Sequence, residues 1–258
     1  MTVIIGTSGW QYRDWRGRFY PQQLPQRLWL EHHAASFATV ESNNAFYRLP
    51  EGTTFQAWRE RTPPDYRWAV KASRYLTHIK RLREPEEPVQ RLMARAGELG
   101  AKLGPILLQL PTDMRVNTAA LAATLDAFDP GVRLAVETRH ESWWCDEVRD
   151  VLAARGAAHV WSDRGGQPLG PTWTTADWGY LRLHHGDAFP PPNYHRATLG
   201  SWADRIAAAF GDGQDVFVYF NNDHRCAAVD NAITFGEEVA RAGLTPTRTQ
   251  EIRPNSWT

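Results

Sequence analysis

Glu41, Glu137 and His184 each stand at the end of a short apolar run: TVES, RLAVET and YLRLHH. Carboxylates and an imidazole are the side chains that most often act as general acid and base near neutral pH. Lys71, Arg139 and Arg182 close or follow similar runs and are suited to holding negative charge. Asn43, Asn221 and Asp223 add hydrogen-bonding groups, His78 follows Lys71 in a basic segment, and Trp10 and Tyr47 offer ring faces. The chemistry these types suggest is proton transfer on an anionic substrate. Glu41, Glu137 and His184 are the candidate catalytic groups, and the others are candidates for substrate binding.

Each of these residues also has a purely structural role open to it. Glu41 alternatively forms an ion pair with Lys71 on a neighbouring strand, and Arg139 alternatively neutralises Glu137 two residues away. Asp223 suits the N-cap of the last helix. Asn221 suits loop backbone groups, and a buried, hydrogen-bonded His184 needs no chemistry. Trp10, Tyr47 and their aromatic neighbours alternatively pack loops onto the core. His32 and His33 are adjacent on a helix, diverge by about 100° and so cannot chelate from one face; both read as surface or packing residues.

The elements that must position these groups are strands. Eight runs have strand character: 3–6, 39–42, 66–71, 105–110, 133–138, 157–163, 180–185 and 215–221. In the seventh, Leu181 and Leu183 share one face, while Tyr180, Arg182 and His184 share the other. By the same period of two, Ala135 goes with Glu137, and Tyr219 with Asn221 and Asp223. Polar residues gather at the C-terminal end of seven runs, the sixth ending in Asp163. Most runs are followed by helical spacing. Val89, Leu92, Met93, Ala96 and Leu99 define one helix. Asn117 N-caps the next, with Leu121, Leu125 and Phe128 as its apolar stripe, and a further helix is expected from Ser142. Residues 164–176 are rich in Gly, Pro and Thr and read as loop, so the sixth unit is expected to be irregular.

Eight such units in 258 residues match the ~250 residues of a (β/α)8 barrel of the TIM type. A doubly wound open sheet is the alternative, but GTSGW lacks the full glycine fingerprint of a dinucleotide site. One barrel domain is expected over 1–244, with a polar tail over 245–258. Active sites of such barrels lie at the C-terminal ends of the strands, where the candidate residues fall.

Composition narrows the partners. Lys plus Arg and Asp plus Glu are equal at 29 each, which disfavours a broad nucleic-acid or membrane surface. A local positive rim over 71–83 remains open. Cys145 and Cys226 lie far apart and define no disulfide scaffold, as suits a reduced compartment. MTVIIGTSGW reads as a first strand rather than a signal peptide, and no apolar run nears the ~20 residues of a membrane span. A cytoplasmic location is expected; the oligomeric state is left open.

Several motifs in one order carry a resemblance. GTSGW, FYP at 19–21, TVESNNAFYRLP at 39–50, Lys71 with Thr77-His78, QLP at 109–111, ETRHESW at 137–143, RLHHG, and YFNND at 219–223 followed by Asn231-Ala232 resemble the YecE-like family. That family is filed as domain of unknown function number seventy-two. The resemblance covers residues 3 to 242 and implies a TIM-type barrel without an established reaction. Two positions depart from its pattern. His184 and His185 stand where one histidine is usual, and Asn44-Ala45 replaces part of the E-x-N-S/T-x-F-Y run.

The expected function is an enzyme, hydrolase-like, acting by general acid/base chemistry on a small phosphate-bearing substrate. No cofactor is expected. The alternatives are a metal-dependent phosphodiesterase or nuclease-like enzyme using Glu41, Glu137, His184 and Asp223, a glycoside hydrolase using Glu41 and Glu137, and a non-catalytic module binding nucleic acid or a partner.

Overall fold

The structure, a computed structural model, describes residues 1–250. Strands β1 (Thr2–Ser8), β2 (Thr39–Ser42), β3 (Arg67–Lys71), β4 (Leu103–Gln109) and β5 (Leu134–Glu137) follow one another in a parallel sheet. On the other side of β1 stand β10 (Asp215–Phe220), β9 (Gly179–Leu183) and β7 (Trp161–Arg164), also parallel. The free neighbour of β5 is β6 (Ala158–His159). Strands β6 and β7 are successive pieces of one stave, separated only by Val160, whose N–H donates to the Val136 carbonyl at 2.9 Å. The two ends of the ladder therefore meet in one chain segment, and the sheet curls into the expected TIM-type barrel.

Departures from the expected pattern have local causes. The sixth unit has no helix: β8 (Gln167–Pro168) folds back antiparallel on β7, in keeping with its Gly-Gly turn. The helix expected from Ser142 begins as a 3-10 turn, Glu141–Trp143, and the α-helix proper runs over Asp146–Ala153. At the C-terminal end, β11 (Thr245–Pro246) pairs with Thr2 and Val3 of β1, a stretch that β2 leaves uncovered because β2 pairs only with Gly6–Ser8. Residues 251–258 of the expected tail lie outside the described residues.

Strand parity sorts the apolar side chains into two cores. Leu134, Val136, Leu181, Leu183, Val218 and Phe220 face the helices, with most of the tryptophans. Ile4, Ala69, Leu107, Ala135, Val160, Tyr180, Phe217 and Tyr219 fill the barrel interior. The interior is tight: a Cβ on Gly6 would come within 2.2 Å of the Thr39 carbonyl oxygen on the next strand. Tyr219 and Tyr180 stack at a tilt, 5.1 Å apart, and the Tyr219 hydroxyl bonds to Thr39 Oγ1 at 2.7 Å. These rings form the floor on which the polar end of the barrel rests.

Candidate functional site

The in-facing positions one step above this floor are Ser8, Glu41 and Arg182. They belong to β1, β2 and β9 and are all buried. Arg182 is only 1% exposed. Its Nε–H donates to Glu41 Oε2 at 2.9 Å and its Nη2–H to Glu41 Oε1 at 2.6 Å. Its Nη1–H donates to Glu137 Oε2 at 2.6 Å. Tyr180 Oη–H donates to Glu41 Oε2 at 2.7 Å, Ser8 Oγ–H donates to Glu41 Oε1, and Asn43 Nδ2–H donates to Ser8 Oγ at 2.9 Å. Burial pushes the Glu41 carboxyl up, but the Arg182 charge and these donors outweigh it and hold the group below its ordinary value. Burial also lowers the Arg182 guanidinium, yet two carboxylates overcome that and raise it.

Glu137 links this buried layer to the open mouth. It is fully buried and takes Gln109 Nε2–H on Oε2 at 2.7 Å, beside Arg182. Its Oε1 accepts from Arg139 Nε and Nη2 at 3.1 and 3.0 Å and from Ser162 Oγ at 3.2 Å. His184 Nε2 lies 3.0 Å from the same oxygen. Despite burial, the Arg182 charge and the contact with His184 hold Glu137 well below the usual carboxylate range. Asn221 Nδ2 approaches His184 Nδ1 at 3.0 Å. With Asn221 donating there, the imidazole carries its proton on Nε2, toward Glu137. A carboxylate and an amide thus fix the ring on opposite sides.

His184 faces a cavity of about 600 Å3. Its lining includes the polar Arg139, Arg164, His185 and Asn221 and the apolar Trp144 and Leu169. Trp144 packs against Gly170, where a Cβ would stand 2.9 Å from its indole nitrogen. Among the described residues, Arg164 has no carboxylate partner, whereas Arg139 already holds Glu137.

The predicted residues therefore fall into three groups. Glu41 and Arg182 form the buried layer, with the half-buried Asn43 bonded to its Ser8, and do not line the cavity, whereas Glu137, Arg139, His184 and Asn221 do. Lys71 stands at the same end of the barrel with its Nζ 4.1 Å above the Phe46 ring, and His78 meets that ring edge-on at 5.0 Å. The ion pair of Glu41 with Lys71 does not form; Arg182 takes that place. Trp10 is a packing residue, in T-shaped contact with Trp58 and Trp68 at 5.3 Å. Tyr47 is 81% exposed on a short outer turn, away from the cavity. Asp223 precedes a 3-10 turn without capping it through its side chain, and its carbonyl accepts from Trp15 Nε1 at 2.9 Å.

Several participants were not foreseen. Ser162 is the in-facing residue of the sixth stave, on the same face as Val160. Asp163 points outward to Tyr194 and Trp202 Nε1 instead. Parity counted from Ala158 identifies Ser162, whereas the ionisable type of Asp163 singles out a residue of the outer face. Arg164 followed in a stretch that reads as loop. His33, by contrast, takes the packing alternative of its surface-or-packing reading: it is fully buried between Thr7 Oγ1 and the Tyr66 hydroxyl, at 2.9 and 3.0 Å, and holds α1 (Trp29–Ser36) to the barrel.

A closed parallel barrel with charged side chains converging at its C-terminal mouth defines a TIM-like α/β protein. The chain belongs to the family described as "Protein of unknown function DUF72", whose profile matches residues 4–254, so the resemblance read from the motifs holds across nearly the whole chain. The chain is 30% identical over 155 residues to the UPF0759 protein YecE of Escherichia coli strain K12. That match takes in 60% of this chain and spans about half, 54%, of YecE. The UPF0759 protein YunF of Bacillus subtilis strain 168 is 22% identical over 278 aligned positions, covering 95% of this chain and 98% of YunF. A solved DUF72 family protein from Thermotoga maritima MSB8 superposes with a TM-score of 0.81 at 26% identity, over 93% of this chain and all of that one. Among the described residues, no helix is long and apolar enough to cross a membrane.

Proposed function

We propose that this protein is an enzyme that draws a small phosphate-bearing substrate into the cavity at the barrel mouth and transfers a proton through His184. The observation that carries this is the placement of His184. It is clamped between Glu137 and Asn221 and lines the same cavity as Arg139 and Arg164. Fixing an imidazole from both sides sets its tautomer and orientation, which general acid/base work requires. Arg164, with no carboxylate partner among the described residues, supplies the positive charge that a phosphate would meet. Trp144 and Leu169, which also line the cavity, favour a substrate with an apolar or ring-bearing portion.

The other readings have less support. Two carboxyl groups flanking a glycosidic bond need open space between them. Here the Arg182 guanidinium bridges Glu41 and Glu137. For a metal-dependent reaction, no group of three or more His, Cys, Asp or Glu among the described residues is arranged to hold an ion.

Calorimetric titration with inorganic phosphate and with a phosphomonoester tests the proposal. The expected result is saturable binding to the wild-type protein that weakens in Arg164→Ala. Absence of binding at millimolar phosphate, or equal binding by both proteins, overturns it.

A further inference from the structure

The chain contains 26 arginines and only three lysines, Lys71, Lys80 and Lys102. The difference matters chemically: a guanidinium stays charged at any working pH, whereas an amine can lose its proton and become a nucleophile. Two of the lysines have plain structural roles. Lys80 Nζ donates to Glu84 at 2.7 Å, and Lys102 Nζ donates to the carbonyls of Arg59 and Thr62. Lys71 has neither a hydrogen bond nor an ion pair among the described residues, and its contact is the face of the Phe46 ring. The side chain is 8% exposed, yet Nζ is not one of the fully enclosed, unpartnered polar atoms. It is sheltered but reachable.

We propose that Lys71 is a second reactive group of the barrel mouth, an amine nucleophile that condenses with the carbonyl of a small aldehydo or keto acid to give an imine. This goes beyond the acid–base reading above and makes no use of His184. In the step, the Nζ lone pair forms a bond to the carbonyl carbon while the C=O π pair moves to oxygen. Proton transfer from nitrogen to that oxygen gives the neutral carbinolamine. Reprotonation of the hydroxyl lets it leave as water, and the nitrogen lone pair closes the C=N bond. Amine, carbonyl compound and one proton become a protonated imine and water, with no change of oxidation state. The cationic nitrogen of the product remains over the Phe46 ring, so the cation–π contact is retained.

The surroundings favour the neutral amine at the start. Burial is the largest influence, followed by the positive charge of Arg182 on β9, with Arg139 after β5 acting in the same sense. Glu41 on β2 and Glu137 on β5 oppose them, but both are already bound to Arg182. His78, beyond the Phe46 ring, is itself held below its ordinary value by burial and by the Lys71 charge. The outcome is an amine lowered to about 8. At pH 7.5 that leaves roughly a quarter of Lys71 unprotonated, against about one part in a thousand for a solvated lysine. The acid group on the carbonyl compound answers Arg139, whose side chain is 33% exposed.

The experiment is reductive trapping of the intact protein with glyoxylate and cyanoborohydride at pH 7.5, followed by peptide mass mapping. The expected result is a carboxymethyl adduct on Lys71 formed at least roughly tenfold faster than on Lys80, whose amine Glu84 holds up, or on Lys102, whose Nζ is tied to two carbonyls. The rate should level off above about pH 8. Acetaldehyde, lacking the carboxylate, should label Lys71 more slowly. Lys71→Arg, checked for native circular dichroism, should leave only slow labelling elsewhere, and wild-type protein unfolded in urea should lose the selectivity. Equal rates at the three lysines, or a Lys71 rate still climbing beyond pH 10, overturns the nucleophile. Equal labelling by acetaldehyde overturns the acid-bearing substrate.

Discussion

Arg182 and Glu41 meet fork to fork across the barrel, through Nε–Oε2 at 2.9 Å and Nη2–Oε1 at 2.6 Å. The remaining Nη1 of the same guanidinium reaches Glu137 at 2.6 Å. One cation therefore joins two carboxylates that would otherwise repel each other in a medium too poor in water to screen them. The triad ties β2, β5 and β9 together across the barrel interior, and it holds the carboxylate on which His184 rests.

Replacing Arg182 with methionine should destabilise the protein by about 3–5 kcal/mol, because it strands two buried carboxylates without their counter-charge. Urea denaturation followed by tryptophan fluorescence measures the loss. A change under 1 kcal/mol would show that the triad contributes little beyond what packing supplies.

Acid should weaken the fold in two windows. His33 is held at about 3 by burial, with the nearby His32 charge acting the same way, and His159 is held at about 4 by burial. Both lie below the ordinary histidine value of 6.5. The unfolded chain therefore takes up protons below about pH 6.5 that the native chain refuses, and stability falls as pH drops toward those lower values. At pH 5 each histidine accounts for about 2 kcal/mol. Glu41 and Glu137 are also lowered, from 4.5, so their contribution is complete above that value and is lost at more acid pH. Urea midpoints at pH 7.5 and pH 5 should differ less in His33→Gln and His159→Gln than in wild type, whatever the absolute stability of the variants.

Gly6→Ala should cost about 1–3 kcal/mol or prevent folding outright, since the new methyl meets a backbone oxygen of β2 that cannot swing aside. Soluble yield and thermal midpoint report this directly. Gly131→Ala is a suitable comparison. No heavy atom lies within 4 Å of its added methyl, and only the strain of its positive φ remains.

Arg164→Ala should weaken phosphate binding by about tenfold, the loss of one charge-assisted contact, while leaving the urea midpoint within about 0.5 kcal/mol of wild type, as expected for a surface site. Rising salt should weaken the wild-type interaction and narrow the gap between the two proteins. A salt-insensitive titration would count against an ionic site.

Much of this was legible from alternation alone. The spacing of Leu181, Arg182, Leu183 and His184 sends Arg182 and His184 inward, and the same period turns Glu137 away from Leu134 and Val136. What alternation does not supply is partner choice. Glu41 had Lys71 on the adjacent strand as a plausible partner, but the tilt of the staves and the reach of a guanidinium bring Arg182 across the lumen to it. Nor does residue type indicate depth. Trp10 and Tyr47 both follow strands, yet one is packed between two indoles and the other lies on an outer turn. The sixth stave was harder still, because it changes neighbours at Val160 and Asp163 looks more like chemistry than Ser162 does.

The tyrosine floor across the lumen has a kinetic consequence. With Tyr180 and Tyr219 stoppering the channel from below, the reactant and product of the proposed reaction would share the opening at the mouth. A second reactant would then wait for the first product to clear it, or enter in a set order behind the first. Turnover would then be governed by traffic through that doorway as much as by bond making.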